Sequence, residues 1–219
     1  MKKRYLFLIL SILMLAMISS CKKDPIINTK DKVGISRVTY FANITLAGNS
    51  VMSVIKGTSF TDPGVTAKAG DKEVPVTSTG TVNTGQVGVY TLNYSAVNDD
   101  GFSSSASRTV VVIPSAEDPG VDLSGTYNSV PVGSTPGPAI ITKVAQAVYY
   151  TTNCWGNSGA VIPAYFISTN GSSIIVPTQG SAYGNLQSTM PGNYNSGIIT
   201  WTINLIDQGV ERTKKWQKQ

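Results

Sequence analysis

Few side chains in this 219-residue sequence can transfer protons, attack a substrate or hold a metal, and histidine is absent altogether. Ser-His-Asp and Cys-His schemes therefore lack their base. Glycoside hydrolysis can run on two carboxylates at a fixed separation. Beyond residue 120, however, the carboxylates are Asp122, at the edge of a linker, and Asp207 and Glu211, four residues apart in a polar tail. Solvated charge is the reading we take for that pair. With no histidine, no cysteine pair, no dense aspartate cluster and no glycine-rich phosphate loop, we expect no catalytic residues, no metal and no cofactor. Binding chemistry is better represented. Aromatic faces cover the apolar side of a sugar ring while Asn and Gln hydrogen-bond its hydroxyls, and Tyr and Trp supply large areas at little entropic cost. Tyr149 to Asn157 (YYTTNCWGN) has this composition and ends in a turn, as does Tyr183 to Tyr194. The candidate ligand residues are Tyr149, Tyr150, Trp155, Tyr183 and Tyr194. Two readings stand for Trp155, core residue or ligand platform, whereas Trp201 reads as core.

The amino terminus carries a different chemistry. Met1-Lys2-Lys3-Arg4 is a positive n-region, and the 13 residues Tyr5 to Met17 (YLFLILSILMLAM) are apolar but short for a membrane span. They read as a signal-peptide h-region. Ile18-Ser19-Ser20-Cys21 then resembles the lipobox of bacterial lipoproteins, which implies a signal peptide over 1–20 and acylation of Cys21. More than one acyl chain on Cys21 would anchor the protein stably to a membrane. Lys22 after the anchor is not the aspartate that commonly signals inner-membrane retention, so the outer membrane is expected, with display at the cell surface.

Processing changes the charge and cysteine arithmetic. The full chain has a formal net charge of +5, but Lys2, Lys3 and Arg4 would leave with the signal. Fourteen basic residues against 12 acidic ones then remain, which gives no reason to expect nucleic acid as a partner. The cations Arg212, Lys214, Lys215 and Lys218 read as a solvated tail. With Cys21 acylated, Cys154 has no partner for a disulfide, and we expect it to be a small buried or half-buried residue.

These candidates must be positioned by β-structure. Residues 21–34 are the lipidated cysteine and a polar segment with Pro25, expected to be a flexible tether. From 35 to 113, short runs rich in Val, Ile, Thr and Tyr alternate with Gly, Pro, Asn and Asp turns, and we draw strands at 35–41, 44–47, 51–56, 65–68, 73–78, 88–96 and 105–113. Tyr90, Leu92 and Tyr94 share one face of a strand by period two. Thr109 to Ile113 (TVVVI) does not alternate, which fits a strand covered on both faces or docked at a domain junction. The pattern predicts an Ig-like β-sandwich. Residues 114–121, with two prolines, form a linker. Residues 122–219 hold all three tryptophans and six of the ten tyrosines. They predict a second antiparallel β sandwich or small barrel-like domain, with strands at 125–130, 139–144, 147–152, 161–168, 173–177 and 197–206 and a long loop or weakly paired region from Thr178 to Ser196. The fold class is all-β.

Phe60-Thr61-Asp62-Pro63-Gly64, then Gly88-Val89-Tyr90-Thr91-Leu92-Asn93-Tyr94, then Arg108 to Val112 resemble the Ig-like module of bacterial surface proteins with F-x-D-P-G and G-x-Y-x-x-x-Y motifs. The resemblance covers roughly residues 35–113 and implies a spacer or binding module, with Phe60 plugging one end of the sandwich and Gly64 tolerating positive φ. Where many members have Asp, this chain has Asn98, and Asn98 to Gly101 reads as a plain hairpin loop. The opening Leu123 to Tyr127, the stretch from Ile141 to Tyr150 and the strand at Thr200-Trp201 are similar to the carboxyl-terminal domain of a group of Bacteroides-type outer-membrane lipoproteins. That likeness implies a polysaccharide-uptake context. The expected protein is thus a non-enzymatic surface lipoprotein whose second domain binds a glycan, or alternatively a structural lipoprotein whose second domain docks an outer-membrane protein partner.

Overall fold

The computed structural model describes residues 32–33, 36–130, 138–156 and 159–219. Cys21 and the signal segment lie outside them. The chain to Tyr40 and the chain from Phe41 are two units. In the first, β1 (Lys32–Val33) pairs antiparallel with β2 (Ser36–Arg37), so the end of the expected tether and the start of the expected first strand form a small hairpin instead.

In the second unit, the Ig-like part is a two-sheet sandwich. One sheet has the order β3 (Ala42–Leu46), β5 (Val65–Ala69), β6 (Lys72–Glu73). The other runs β4 (Val51–Ile55), β9 (Ser103–Ile113), β8 (Gly88–Val97), β7 (Val76–Thr79). Tyr94 and Ala96 of β8 are buried on the face that period two selects, and Tyr90 and Leu92 on that face are half-buried. Small residues close the remainder of the interior, where Ala42, Ala67, Val74 and Ala96 pack together.

The motif residues converge on one buried cation. Arg108 is completely buried. Its Nε lies 3.1 Å from Asp62 Oδ1 and donates to Tyr94 Oη at 3.2 Å, and Nη2 donates to the carbonyls of Ala47 (2.7 Å) and Gly64 (3.1 Å). Tyr94 in turn donates to Asp62 Oδ2 at 2.8 Å. Burying a guanidinium is tolerable only when it is paired and its N–H groups are satisfied. The Asp62-Pro63-Gly64 turn does both, and Gly64 needs its φ of 88° to present its carbonyl. Phe60 is half-buried.

The rest of the unit is a ten-stranded antiparallel sheet curled into a barrel-like form. Its path is β13 (Ala164–Ile167), β12 (Val148–Thr151), β11 (Ala139–Ala145), β10 (Gly125–Val130), β19 (Val210–Lys218), β18 (Ile198–Leu205), β16 (Gly184–Ser188), β15 (Gln179–Ser181). The short strands β14 (Ser173–Ile174) and β17 (Gly192–Asn195) pair with each other, and β17 also pairs with β18. Closure comes from two contacts. Ile167 and Ile175 exchange backbone hydrogen bonds of 2.8 and 2.9 Å. The side-chain amide of Gln179 takes both backbone groups of Tyr165, accepting from its N–H and donating to its carbonyl at 2.7 Å each. Ile199, Trp201, Ile203 and Leu205 of β18 all point inward as their alternation predicts, and Trp201 meets Phe166 edge-on with ring centroids 5.5 Å apart.

Two expectations are corrected here. The segment 178–196 is not a long loop: it holds β15, β16 and β17, because the long strand β18 supplies backbone partners to both β16 and β17. The cationic tail is also a strand. β19 pairs with β18 over eight residue pairs and with β10 over four, and Trp216 on it is fully buried.

Strand β9 joins the two domains. Val110 and Val112 are buried on one face, while Val111 and Ile113 on the other pack with Ala147, Val148 and Ile167 of the barrel. The unalternating TVVVI run is therefore covered on both sides. The linker at 114–121 is fastened to the barrel, with Glu117 2.9 Å from Lys143 Nζ and Asp118 N–H donating to the carbonyl of Thr169 at 2.7 Å.

Candidate functional site

The five aromatic candidates separate by burial. Tyr149 is fully buried, stacked on Phe166 at 5.2 Å, and its hydroxyl donates to Glu117 and to the carbonyl of Val121. Trp155 is 6% exposed and belongs to the barrel core. Neither offers a face to a sugar, which corrects the expectation for Tyr149 and, of the two readings for Trp155, leaves the core residue and overturns the ligand platform. Tyr150 and Tyr194 are half-buried; Tyr150 packs against Tyr165, and Tyr194 packs on the barrel core. Tyr183 is 38% exposed.

The reason Trp155 turns inward lies two residues earlier. The buried side chain of Asn153 accepts hydrogen bonds from the N–H groups of Trp155 (3.0 Å), Gly156 (3.1 Å) and Ile162 (3.4 Å), folding the segment after β12 into the barrel. Gly156, at φ 64°, lets that turn pass over Trp216, whose ring lies 3.1 Å from where a Cβ would stand. Trp201 Nε1 donates to the carbonyl of Cys154 at 2.9 Å. Cys154 is free and buried, and burial pushes its thiol up to about 12, so it is protonated and unreactive at neutral pH.

The strands place the exposed candidate. β12 starts at the Ig-like junction with Val148 and runs away from it to Thr151, and residues 152–156 and 159–163 lie at the far end before β13 returns. At that far end Tyr183 occupies the tip between β15 and β16, its hydroxyl 3.5 Å from the carbonyl of Gly159. The neighbouring turn between β18 and β19 begins at exposed Ile206, and Val161 in the capping segment is 59% exposed.

Two cations at this end are residues that sequence reasoning placed in a tail. Arg212 and Lys214 lie on the same face of β19 as buried Trp216, opposite Ile203 and Trp201 of β18. Lys214 Nζ sits 5.8 Å from the centroid of the Trp155 ring. Burial, and secondarily the charge of Arg212, hold the Lys214 ammonium below its ordinary value. Among the described residues no carboxylate forms an ion pair with either. The signal was present as alternation through Val210, Arg212, Lys214, Trp216 and Lys218, masked by the polarity of the strand.

Asp207 Oδ2 accepts the N–H of Asn185 at 2.8 Å, pinning the β18–β19 turn to β16, and Glu211 is exposed on the opposite face of β19 from Arg212. The hairpin at Asn98 is tied by its own groups, with Asn98 Oδ1 accepting the Phe102 N–H at 2.8 Å, and Asp99 pairs with Lys72.

The sandwich, its DPG turn and the Asp62-Tyr94-Arg108 network coincide with a match over residues 44–112 to the family model described as bacterial surface protein, Ig-like domain. Residues 44–112 are similar to that bacterial surface Ig-like domain. The matched segment spans β4 to β8 and most of β3 and β9, and its β9 carries Val111 onto the barrel. No curated protein matches the chain. Among solved structures, the chain is similar to a lipoprotein from Bacteroides thetaiotaomicron, with 21% identity over 82% of this chain and 100% of that one, at a TM-score of 0.42.

Proposed function

We propose that this chain is a surface lipoprotein, anchored to the outer membrane through Cys21, in which the surface Ig-like domain is a spacer and the barrel is a non-catalytic module that binds a glycan. The observation that carries this reading is the position of Tyr183, exposed on a hairpin tip at the end of the barrel remote from the Ig-like junction. An aromatic there can cover the apolar face of a sugar, and the backbone groups of the adjoining turns can meet its hydroxyls. Trp155 supports the same end from within, as core.

Affinity electrophoresis of the full chain against a panel of soluble polysaccharides tests the reading. Retardation is expected with at least one glycan, and Tyr183→Ala should weaken it about tenfold, as loss of one stacked aromatic would. If no glycan retards the chain while a pulldown recovers an outer-membrane protein, the barrel docks a protein and the glycan reading is lost.

A further inference from the structure

Arg212, exposed, and Lys214, half-buried, occupy alternate positions on the Trp216 face of β19, so their charges stand side by side with apolar partners, Ile203 and Trp201, directly across on β18. Like charges so placed repel, and desolvation beside the Trp155 ring adds to the cost. Two other cations of this protein are compensated, Arg108 by Asp62 and Lys143 by Glu117. Here there is no such compensation among the described residues. The carboxylates of the barrel domain are Asp122, Asp207 and Glu211. Asp122 accepts the N–H of Ser124 beside β10, Asp207 is held by Asn185, and Glu211 faces the other way.

We propose that Arg212 and Lys214 bind the acidic substituent of a glycan, a carboxylate or sulfate on the sugar, at the far end of the barrel. The proposal rests on the glycan reading above and narrows it to acidic polysaccharides. The guanidinium of Arg212 offers a planar fork that matches two oxygens of a carboxylate or sulfate, and the ammonium of Lys214 adds a point charge held over Trp155. Tyr183, on the hairpin that pairs with β18 at Leu186 and Leu205, lies at the same end to cover the sugar ring.

The test compares polygalacturonate, dextran sulfate and neutral dextran in affinity electrophoresis and titration calorimetry, using the full chain in nonionic detergent. Binding of polygalacturonate or dextran sulfate, but not dextran, is expected, and which of the two binds separates carboxylate from sulfate recognition. Arg212→Gln and Lys214→Gln should each weaken binding about tenfold, the effect of losing one charge-assisted hydrogen bond. Lys215→Gln, on the outer face of the same strand, should change it by less than about twofold. Three results overturn the proposal. If Lys215→Gln weakens binding as much as the inner-face changes, the attraction is unspecific charge. If a neutral glycan binds equally well and Arg212→Gln and Lys214→Gln are silent, the acidic specificity fails and the glycan reading stands. If no polysaccharide binds, both fail together.

Discussion

The residue that best explains why the surface Ig-like signature reads as it does is Arg108. Its guanidinium reaches the Asp62 carboxylate, the Tyr94 hydroxyl and carbonyls of two connecting segments, so three separated motifs are one polar unit in space. Desolvation raises the Tyr94 hydroxyl above its ordinary value, with the bond from Arg108 opposing that shift, so Tyr94 stays protonated and free to donate to Asp62. Such a unit is more sensitive to losing one member than its net contribution suggests, because the others remain buried without partners. Asp62→Ala is therefore expected to lower stability by about 3–5 kcal/mol, the penalty of leaving a buried charge uncompensated. Urea denaturation followed by tryptophan fluorescence and far-UV circular dichroism measures it. A loss below about 1 kcal/mol would mean that Arg108 finds compensation from water and carbonyls alone.

At the scale of elements, Gln179 stands in for a strand residue. By accepting from the N–H and donating to the carbonyl of the same residue, Tyr165, it mimics a backbone ladder between the two ends of the barrel path. Gln179→Ala should cost about 1–3 kcal/mol, since a part-buried N–H and carbonyl lose their partners, and should speed hydrogen exchange at the Tyr165 amide while leaving Ile203 unaffected. Unchanged exchange at Tyr165 would show that β13 and β15 close without the amide. This contact was not legible in the sequence, because a glutamine in a run of Thr, Gly and Ser carries no period. β15 to β17 were hidden for the same reason: Leu186 is the one fully buried side chain among their residues, and their register comes from β18. β18 itself was legible, since Ile199, Trp201, Ile203 and Leu205 alternate strictly. The Ig-like strands were legible because turns of Asp, Pro, Gly and Asn bracket them and because β8 keeps its period. Part of the candidate site was legible too. Tyr183 flanks a glycine at a turn and is exposed, but Trp155 has the same local composition and is buried, since the side chain of Asn153 gathers the backbone inward. Arg212 and Lys214 were not legible as a pair facing one end because their strand lacks the apolar alternation that announces one.

For the unit from Phe41 to Gln219, the junction cluster of Val111, Ile113, Ala147, Val148 and Ile167 decides whether two domains behave as one. Burying a Val or Ile contributes about 1.5–3 kcal/mol each, so the five together couple the unfolding of sandwich and barrel strongly. The expected result in scanning calorimetry is one cooperative transition, and Val111→Asp, which leaves Val110 and Val112 in the sandwich core, should split it into two. Two transitions in the unmodified chain would show that the junction is too weak to couple them. The same strand has a mechanical consequence. β4 lies parallel to β9 with five residue pairs in register, from Val51–Thr109 to Ile55–Ile113. β4 follows directly from the strand by which the chain enters the sandwich, and β9 leads out to the barrel. Tension between Phe41 and a ligand held by the barrel therefore pulls these two strands lengthwise in opposite directions. Their rungs are loaded in shear and must rupture together instead of unzipping one at a time, a geometry that would suit the polymer binding proposed for the barrel.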